Sequence, residues 1–366
     1  MRHHAILSLT PSLMGLVLAT PAWALEVDLY GQVNKGLMFL DDGVQQAWRV
    51  GDNDMSGSRV GFRGQQRLSA TVTASVLLEV ELQDADTTNL VTLTPPDAAS
   101  PAAASLVERH ARVGLNGPWG NLFIGRTTGA TDGLTEMDLS DVDNLTSDVE
   151  KLGDALTFRH ANTGAAIGGE TVGANWSNID GFNLLGESND RRNLVRYETP
   201  TWQGWQASAA VANGGDADLA LRYTYKNDHW QWRSGVGYIN LNNTTIPGAD
   251  NTTAWNAAVA LRHASGWNGS ASLGAIDRDN GGLEGGFYYL KAGYAGQAWA
   301  VAADYGQAQD ISTLGNELTS LGLGAQRELA KGISAALTFR QFDADLATGA
   351  PTEAIRLWLL STAIKF

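Results

Sequence analysis

In "LRHASGWNGSASLGA" (261–275) two alternating segments flank a tight turn, and a Trp sits in that turn. The arrangement recurs in "NGPWGN" (116–121), "TPTWQGW" (199–205), "KNDHWQW" (226–232) and "YAGQAW" (294–299). Between the turns the pattern has period two. Leu219, Leu221, Tyr223 and Tyr225 oppose Asp218, Ala220, Arg222, Thr224 and Lys226. Trp255, Ala257, Val259 and Leu261 oppose Asn256, Ala258, Ala260 and Arg262, and Trp299, Val301, Ala303 and Tyr305 oppose Ala298, Ala300, Ala302 and Asp304. Successive side chains on a strand point to opposite faces, so each segment has one apolar face and one polar or small face. With 42 Gly and only 9 Pro, the chain reads as all-β.

A soluble sandwich alternates in the same way. Two features point instead to strands that cross a membrane. Aromatics bound the apolar faces near strand ends, where amphipathic rings favour the boundary between hydrocarbon and water. Connections also alternate in length: "TWQG", "KNDH", "SGWNG", "AGQ" and "LAKG" are short, whereas those at 241–251 and 344–352 are longer. Short turns on one rim and long loops on the other fit a transmembrane barrel. The N-terminus agrees. Arg2, an apolar run over 5–20 and the A-x-A site at Ala22 and Ala24 form a secretory signal peptide over 1–24, leaving 25–366 as the barrel.

The turn Trps also act as a ruler. Trp202, Trp230, Trp267 and Trp299 follow one another at about one hairpin each, but between Trp119 and Trp202 some fifty extra residues are inserted. Taking 127–192 as a single loop gives sixteen strands. If 155–161 and 165–177 are strands as well, the count is eighteen. A structureless loop of that length is normally functional. It carries twelve acids against four Lys or Arg, a formal −8.

"LEVDLYGQVNKGLMF", "SRVGFRG", "RHARVGLNGPWGNLFIGR" and "NLVRYETPTWQGW" together resemble the Gram-negative general diffusion porins, most closely the alphaproteobacterial branch. The resemblance implies a sixteen-stranded barrel that forms a homotrimer, with a third extracellular loop folded into the lumen. It places the loop after Gly125–Arg126, with Asp132, Glu136, Asp138, Asp141 and Asp143 as constriction acids and Arg59, Arg63, Arg112 and Arg196 as basic residues of the facing wall. Alternation supports the inward direction of these arginines, because Val60, Phe62, Val113 and Val195 take the lipid side. Arg126 shares parity with Leu122 and Ile124 and fits an outward position. The family's lumen Lys on the first strand is Gln32 here. The ending "LWLLSTAIKF", closing on Phe366, resembles the signal read by the barrel assembly machinery, with Ser361 where Gly is usual.

The implied function is passive diffusion of ions and small hydrophilic solutes through a water-filled channel. A transverse field between acids and arginines would select among the solutes. The acidic excess predicts moderate cation preference; a substrate-specific channel for sugar, phosphate or acidic solutes is the alternative. The remaining expected partners are outer-membrane lipid and lipopolysaccharide. A net charge of −14 argues against nucleic acid. There is no Cys, no Ser–His or Asp–His constellation and no phosphate-binding G-x-x-x-x-G-K motif, so neither an enzyme nor a cofactor is expected. "DLSDVDN" (138–144) is dense enough in oxygen to admit Ca²⁺, but it lacks the Gly and distal Glu of an EF-hand, and solvated acids are the plainer reading.

Overall fold

The computed structural model describes residues 26–83, 105–182, 191–242, 252–278 and 284–366. The proposed signal peptide lies outside these residues. The strands are β1 Glu26–Asp41, β2 Gln46–Asp52, β3 Arg59–Arg67, β4 Thr73–Gln83, β5 Ser105–Gly117, β6 Gly120–Thr128, β7 Thr157–Arg159, β8 Ala166–Thr171, β9 Arg191–Glu198 and β10 Trp205–Ala212. They continue with β11 Ala217–Lys226, β12 Trp230–Leu241, β13 Thr252–His263, β14 Trp267–Arg278, β15 Gly285–Ala295, β16 Trp299–Gln309, β17 Glu317–Ala330, β18 Ile333–Asp345 and β19 Ile355–Lys365. One short helix, α1, covers Val172–Asn175.

Antiparallel neighbours run from β3 through β6 to β9 and on to β19, and β19 pairs with β1 over Gln32–Asp41, closing the ring. β7 and β8 pair only with each other, so the eighteen-strand alternative does not hold and the barrel has sixteen staves. The second stave is in two pieces. β3 pairs with the first half of β1 (Glu26–Gln32) and β2 with the second (Lys35–Asp41). Alternation alone did not reveal β2. Between the pieces the chain makes a 3-10 turn at Asp54–Ser56, with its polar groups satisfied: Gln32 Nε2 donates to Ser56 O (2.7 Å) and Gly57 O (2.9 Å), and Asn34 N donates to Ser58 Oγ (3.0 Å). Gln32, where a lumen Lys was expected, thus closes a gap in the wall.

The burial pattern follows the alternation, and the outer faces carry the large exposed apolar residues. At the short-turn rim Trp205 meets Tyr223 at 4.7 Å, Trp230 meets His263 at 4.7 Å, and Tyr294 lies 5.4 Å from both Trp267 and Trp299. At the other rim Phe39, Trp48, Phe339 and Trp358 cluster at 5.1–5.5 Å. Two aromatic girdles therefore bound the apolar band.

Phe366 completes the seam. Its N–H donates to Gly31 O and its carbonyl accepts from Gly31 N, both at 3.0 Å, while its ring covers Gly31, where an added Cβ would come within 2.7 Å. Deleting Phe366 is expected to slow assembly and leave protease-sensitive periplasmic protein, as read by fractionation and trypsin digestion. Wild-type membrane levels under strong expression would count against this role.

The inner face differs from the sequence reading in one respect. The small and polar face was read as wet, but Ala254, Ala258, Ala300, Ala302 and Thr338 are dry, and so are the inward residues Met38, Leu40, Phe342, Leu357 and Leu359. The long loop covers them. Leu134, Leu152, Leu156, Phe158, Val172, Trp176, Ile179 and Phe182 bury against this wall as an apolar core inside the lumen. Gly and Ala on the strands make room: a Cβ at Gly306 would meet the Trp176 ring, and one at Gly324 would meet Val142 and Leu145.

Candidate functional site

The loop enters the lumen after β6 and is tied down at once. Asp218 of β11 accepts from Ala130 N (2.9 Å), Thr131 N (2.8 Å) and Thr131 Oγ1 (2.8 Å). Arg222 donates to Ala130 O (2.6 Å) and Asp132 O (2.7 Å), fixing Asp132 through its backbone. The loop then crosses the inner wall. Asn256 reaches Ile179 O at 2.5 Å, Lys291 reaches Val142 O at 3.1 Å, and Asn144 bridges Asn53 (2.9 Å) and Ser361 (3.0 Å). Ser361, unusual in a C-terminal strand of this type, is thus a docking point for the loop.

The acids named from sequence lie on this loop and mostly meet cations of the wall beneath it. Asp138 pairs with Lys291 (2.9 Å), Asp141 with Arg262 (2.6 Å), Asp143 with Lys365 (3.8 Å), and Glu136 with Lys151 of the loop itself (3.9 Å). Asp143 also exchanges hydrogen bonds with Gln326. The carboxylates diverge to separate partners, and among the described residues no group of three or more His, Asp or Glu side chains is placed to hold a metal ion.

Glu136, Asp138, Asp141 and Asp143 line a cavity of about 560 Å³ together with Gln32, Arg233, Arg262 and Lys365. Asp141 and Asp143 are the open carboxylates there, with side chains 59% and 55% exposed; Asp138, at 23%, is largely covered.

The four arginines named from sequence stand on alternate strands of one stretch of wall, β3, β5 and β9. Arg63 lies 3.8 Å over the Tyr30 ring, and Arg112 and Arg196 lie 4.1 Å and 5.1 Å from the Phe123 ring. Arg59 is 3.7 Å from Glu79. Arg196 donates to Thr128 O (3.0 Å) and Gly129 O (3.1 Å), bracing the root of the loop, and pairs with Glu198 at 3.2 Å. Sequence reasoning missed Arg109. By parity it would point out, but a bulge opposite Glu79–Val80 turns it inward, where it binds Glu79 (2.7 Å) and Glu81. Arg126 does point outward and pairs with Glu108 at 3.8 Å. Lys291, Arg262 and Lys365 were also missed as partners of the loop. Their only signal was a cation among small residues on an inward face.

The geometry is a closed barrel with a lumen loop and an acid-lined aqueous gap, and comparison with known proteins agrees. A family model described as Gram-negative porin matches residues 10–347. The chain belongs to the Gram-negative porin family. It is accordingly an outer-membrane channel protein, and the fold is that of channels rather than enzymes. The comparison with curated proteins gives no match. Among solved structures, the porin resembles an anion-selective porin from Comamonas acidovorans (18% identity, 94% of this chain and 100% of that one, TM-score 0.62). It also resembles OmpT of Vibrio cholerae in its trimer form (13%, 94% and 100%, 0.60) and Salmonella typhi OmpF in complex with daunomycin (14%, 93% and 97%, 0.59). At these identities the likeness concerns the fold.

One carboxyl couples the loop to pH. Glu150 sits on the loop's 3-10 turn Val149–Leu152 between two fully dry residues, and its Oε2 is buried without a partner. Burial pushes it from 4.5 up to about 8, with Asp154 and Glu136 adding to the rise and Arg340 opposing it. Burial raises Asp154 as well. The docked loop therefore binds protons more tightly than the released loop. By linkage, docking is strongest below pH ~4.5, weakens as pH rises, and carries its full ionisation penalty above about 8. Loop proteolysis should accelerate between pH 5 and 8, and Glu150→Gln should flatten that profile. A profile unchanged by the substitution would refute this account.

Proposed function

We propose that this porin is a passive, general diffusion channel for ions and small hydrophilic solutes, moderately cation-selective and working as a homotrimer. The observation that carries the reading is the cavity lined by Glu136, Asp138, Asp141 and Asp143, into which the carboxylates of Asp141 and Asp143 are open. Asp138 and Glu136 are paired with Lys291 and Lys151, so the acidic bias rests on the open Asp141 and Asp143 in a chain of net −14. Low-dielectric walls focus such a field. On β3–β5, Glu79 and Glu81 already take up Arg59 and Arg109.

The trimer is supported by the outer face of β1–β6. It carries the ion pair Arg126–Glu108 and the half-exposed Lys35, which is paired with the buried Asp52 (2.7 Å); lipid would penalise this charge and a neighbouring subunit would cover it. The trimer form recorded for the V. cholerae relative agrees.

A second reading, a channel specific for anionic solutes, is favoured by the arginines on β3, β5 and β9 and by the anion selectivity named for the C. acidovorans relative. Planar-bilayer recording in a KCl gradient separates the two. The expected reversal potential has the cation sign and weakens as the screening length falls from ~10 Å at 0.1 M to ~3 Å at 1 M. Conductance is expected in steps of three. Glu136→Gln with Asp143→Asn should move the potential toward zero. Asp138 is the poorer choice, since its removal strands the buried Lys291. Anion preference in dilute KCl would overturn the cation reading, and saturable conductance would favour the specific channel.

A further inference from the structure

Resting on the reading of passive diffusion, we propose that the β7–β8 hairpin is a second restriction, at the extracellular mouth, and that it sets the upper size of solute separately from the acidic gap. Three observations carry this.

The hairpin is held between loops at the end of the barrel opposite the short Trp turns. Arg159 pairs with Asp42 of the 42–45 turn. Arg159 O accepts from Glu353 N, Ala161 N donates to Pro351 O (both 2.9 Å), and His160 bridges to Thr352, all in the 346–354 loop. Glu170 and Asn175 accept from Asn316 of the 310–316 loop at 2.7 and 2.9 Å.

The foot of the hairpin stands inside the lumen. Phe158 is fully dry, in one core with Leu40, Phe342 and Leu357, which point inward from β1, β18 and β19.

The tip is wet. Ala161, Asn162, Thr163, Ala165, Gly168 and Gly169 are exposed, and a Cβ at Gly168 would meet nothing within 4 Å. Paired strands lie about 4.8 Å apart, so with its side chains the hairpin takes up roughly 10 Å of the opening. A mere filler of the inner core would not need an exposed tip bound to three loops. The acidic gap lies elsewhere: none of the residues lining the 560 Å³ cavity belongs to the hairpin.

The test uses the full porin in liposomes, with swelling rates for a series from mono- to tetrasaccharides, and KCl reversal potentials in planar bilayers. Gly168→Trp adds bulk in open space. It should lower the rate of the largest permeating sugar relative to the monosaccharide at least about twofold, with the reversal potential unchanged. Replacing 160–168 by a Gly-Gly turn should raise that ratio. If the deletion does not fold, as judged by the heat-modifiable gel band, Gly168→Trp decides alone. An unchanged ratio in folded Gly168→Trp protein overturns the proposal. Failure of the wild-type porin to pass any sugar would instead overturn passive diffusion.

Discussion

Replacing Asp304 by alanine is expected to cost the porin about 3–5 kcal/mol, since it leaves a buried guanidinium without its counter-charge. Asp304 on β16 and Arg340 on β18 form a two-point pair at 3.1 and 2.8 Å, and neither side chain has any exposure. Ser320 Oγ accepts from Arg340 (2.7 Å) and the Tyr289 hydroxyl donates to Asp304 (2.8 Å), while Arg340 Nε is buried without a partner. The pair spans β17 at Gly322, where a Cβ would strike both Asp304 and Leu145, so the network also floors the loop. Urea unfolding followed by gel shift should show the loss. Replacing both partners by apolar residues, Asp304→Leu with Arg340→Met, should restore most of it, because a well-packed apolar pair is often neutral or stabilising by ~1–4 kcal/mol. A single variant within 1 kcal/mol of wild type would mean that water reaches the guanidinium.

The second large effect is expected at Trp176. Its ring is 3% exposed, meets Phe287 edge-on at 6.2 Å and covers Gly306, and its Nε1 donates to Ser147 O at 2.9 Å. Truncating a buried Trp to Ala typically costs ~3–5 kcal/mol. Here most of that loss falls on docking of the loop, since the strand ladders do not include Trp176. The loop should become cleavable by protease and single-channel current should grow noisier. Gly306→Val attacks the same contact from the wall and should reproduce both effects. A loop that stays protease-resistant in both variants would show that Asp218, Asn256 and Lys291 hold it unaided.

The strands were legible because the alternation is local and lipid enforces it on the outer face. Leu219 to Tyr225 could be assigned without knowing their neighbours. The inner face was not legible in the same way. Leu357 and Leu359 alternate with the outward Trp358 and Leu360, and only the folded loop shows what covers them. The loop's acids were visible, but their partners were not, since Lys291 and Arg262 lie over a hundred residues away and on different strands. Arg109 was missed because a bulge shifts parity by one residue and leaves no mark in composition. The two departures from family pattern, Gln32 in place of Lys and Ser361 in place of Gly, both hold neighbouring backbone or loop in place.

The seam between β1 and β19 governs when the porin can form at all. Gln32 pairs with Lys365, and Gly31 with Phe366, so the contacts that seal the ring join opposite ends of the barrel chain. Contacts so distant in sequence are costly to close and slow to find. Until the last strand arrives, β1 and its growing partner sheet present two unpaired edges, which invite pairing with other chains. The rate of forming this barrel should therefore depend on how long those edges stay unpaired with other chains, more than on the speed of any single hairpin.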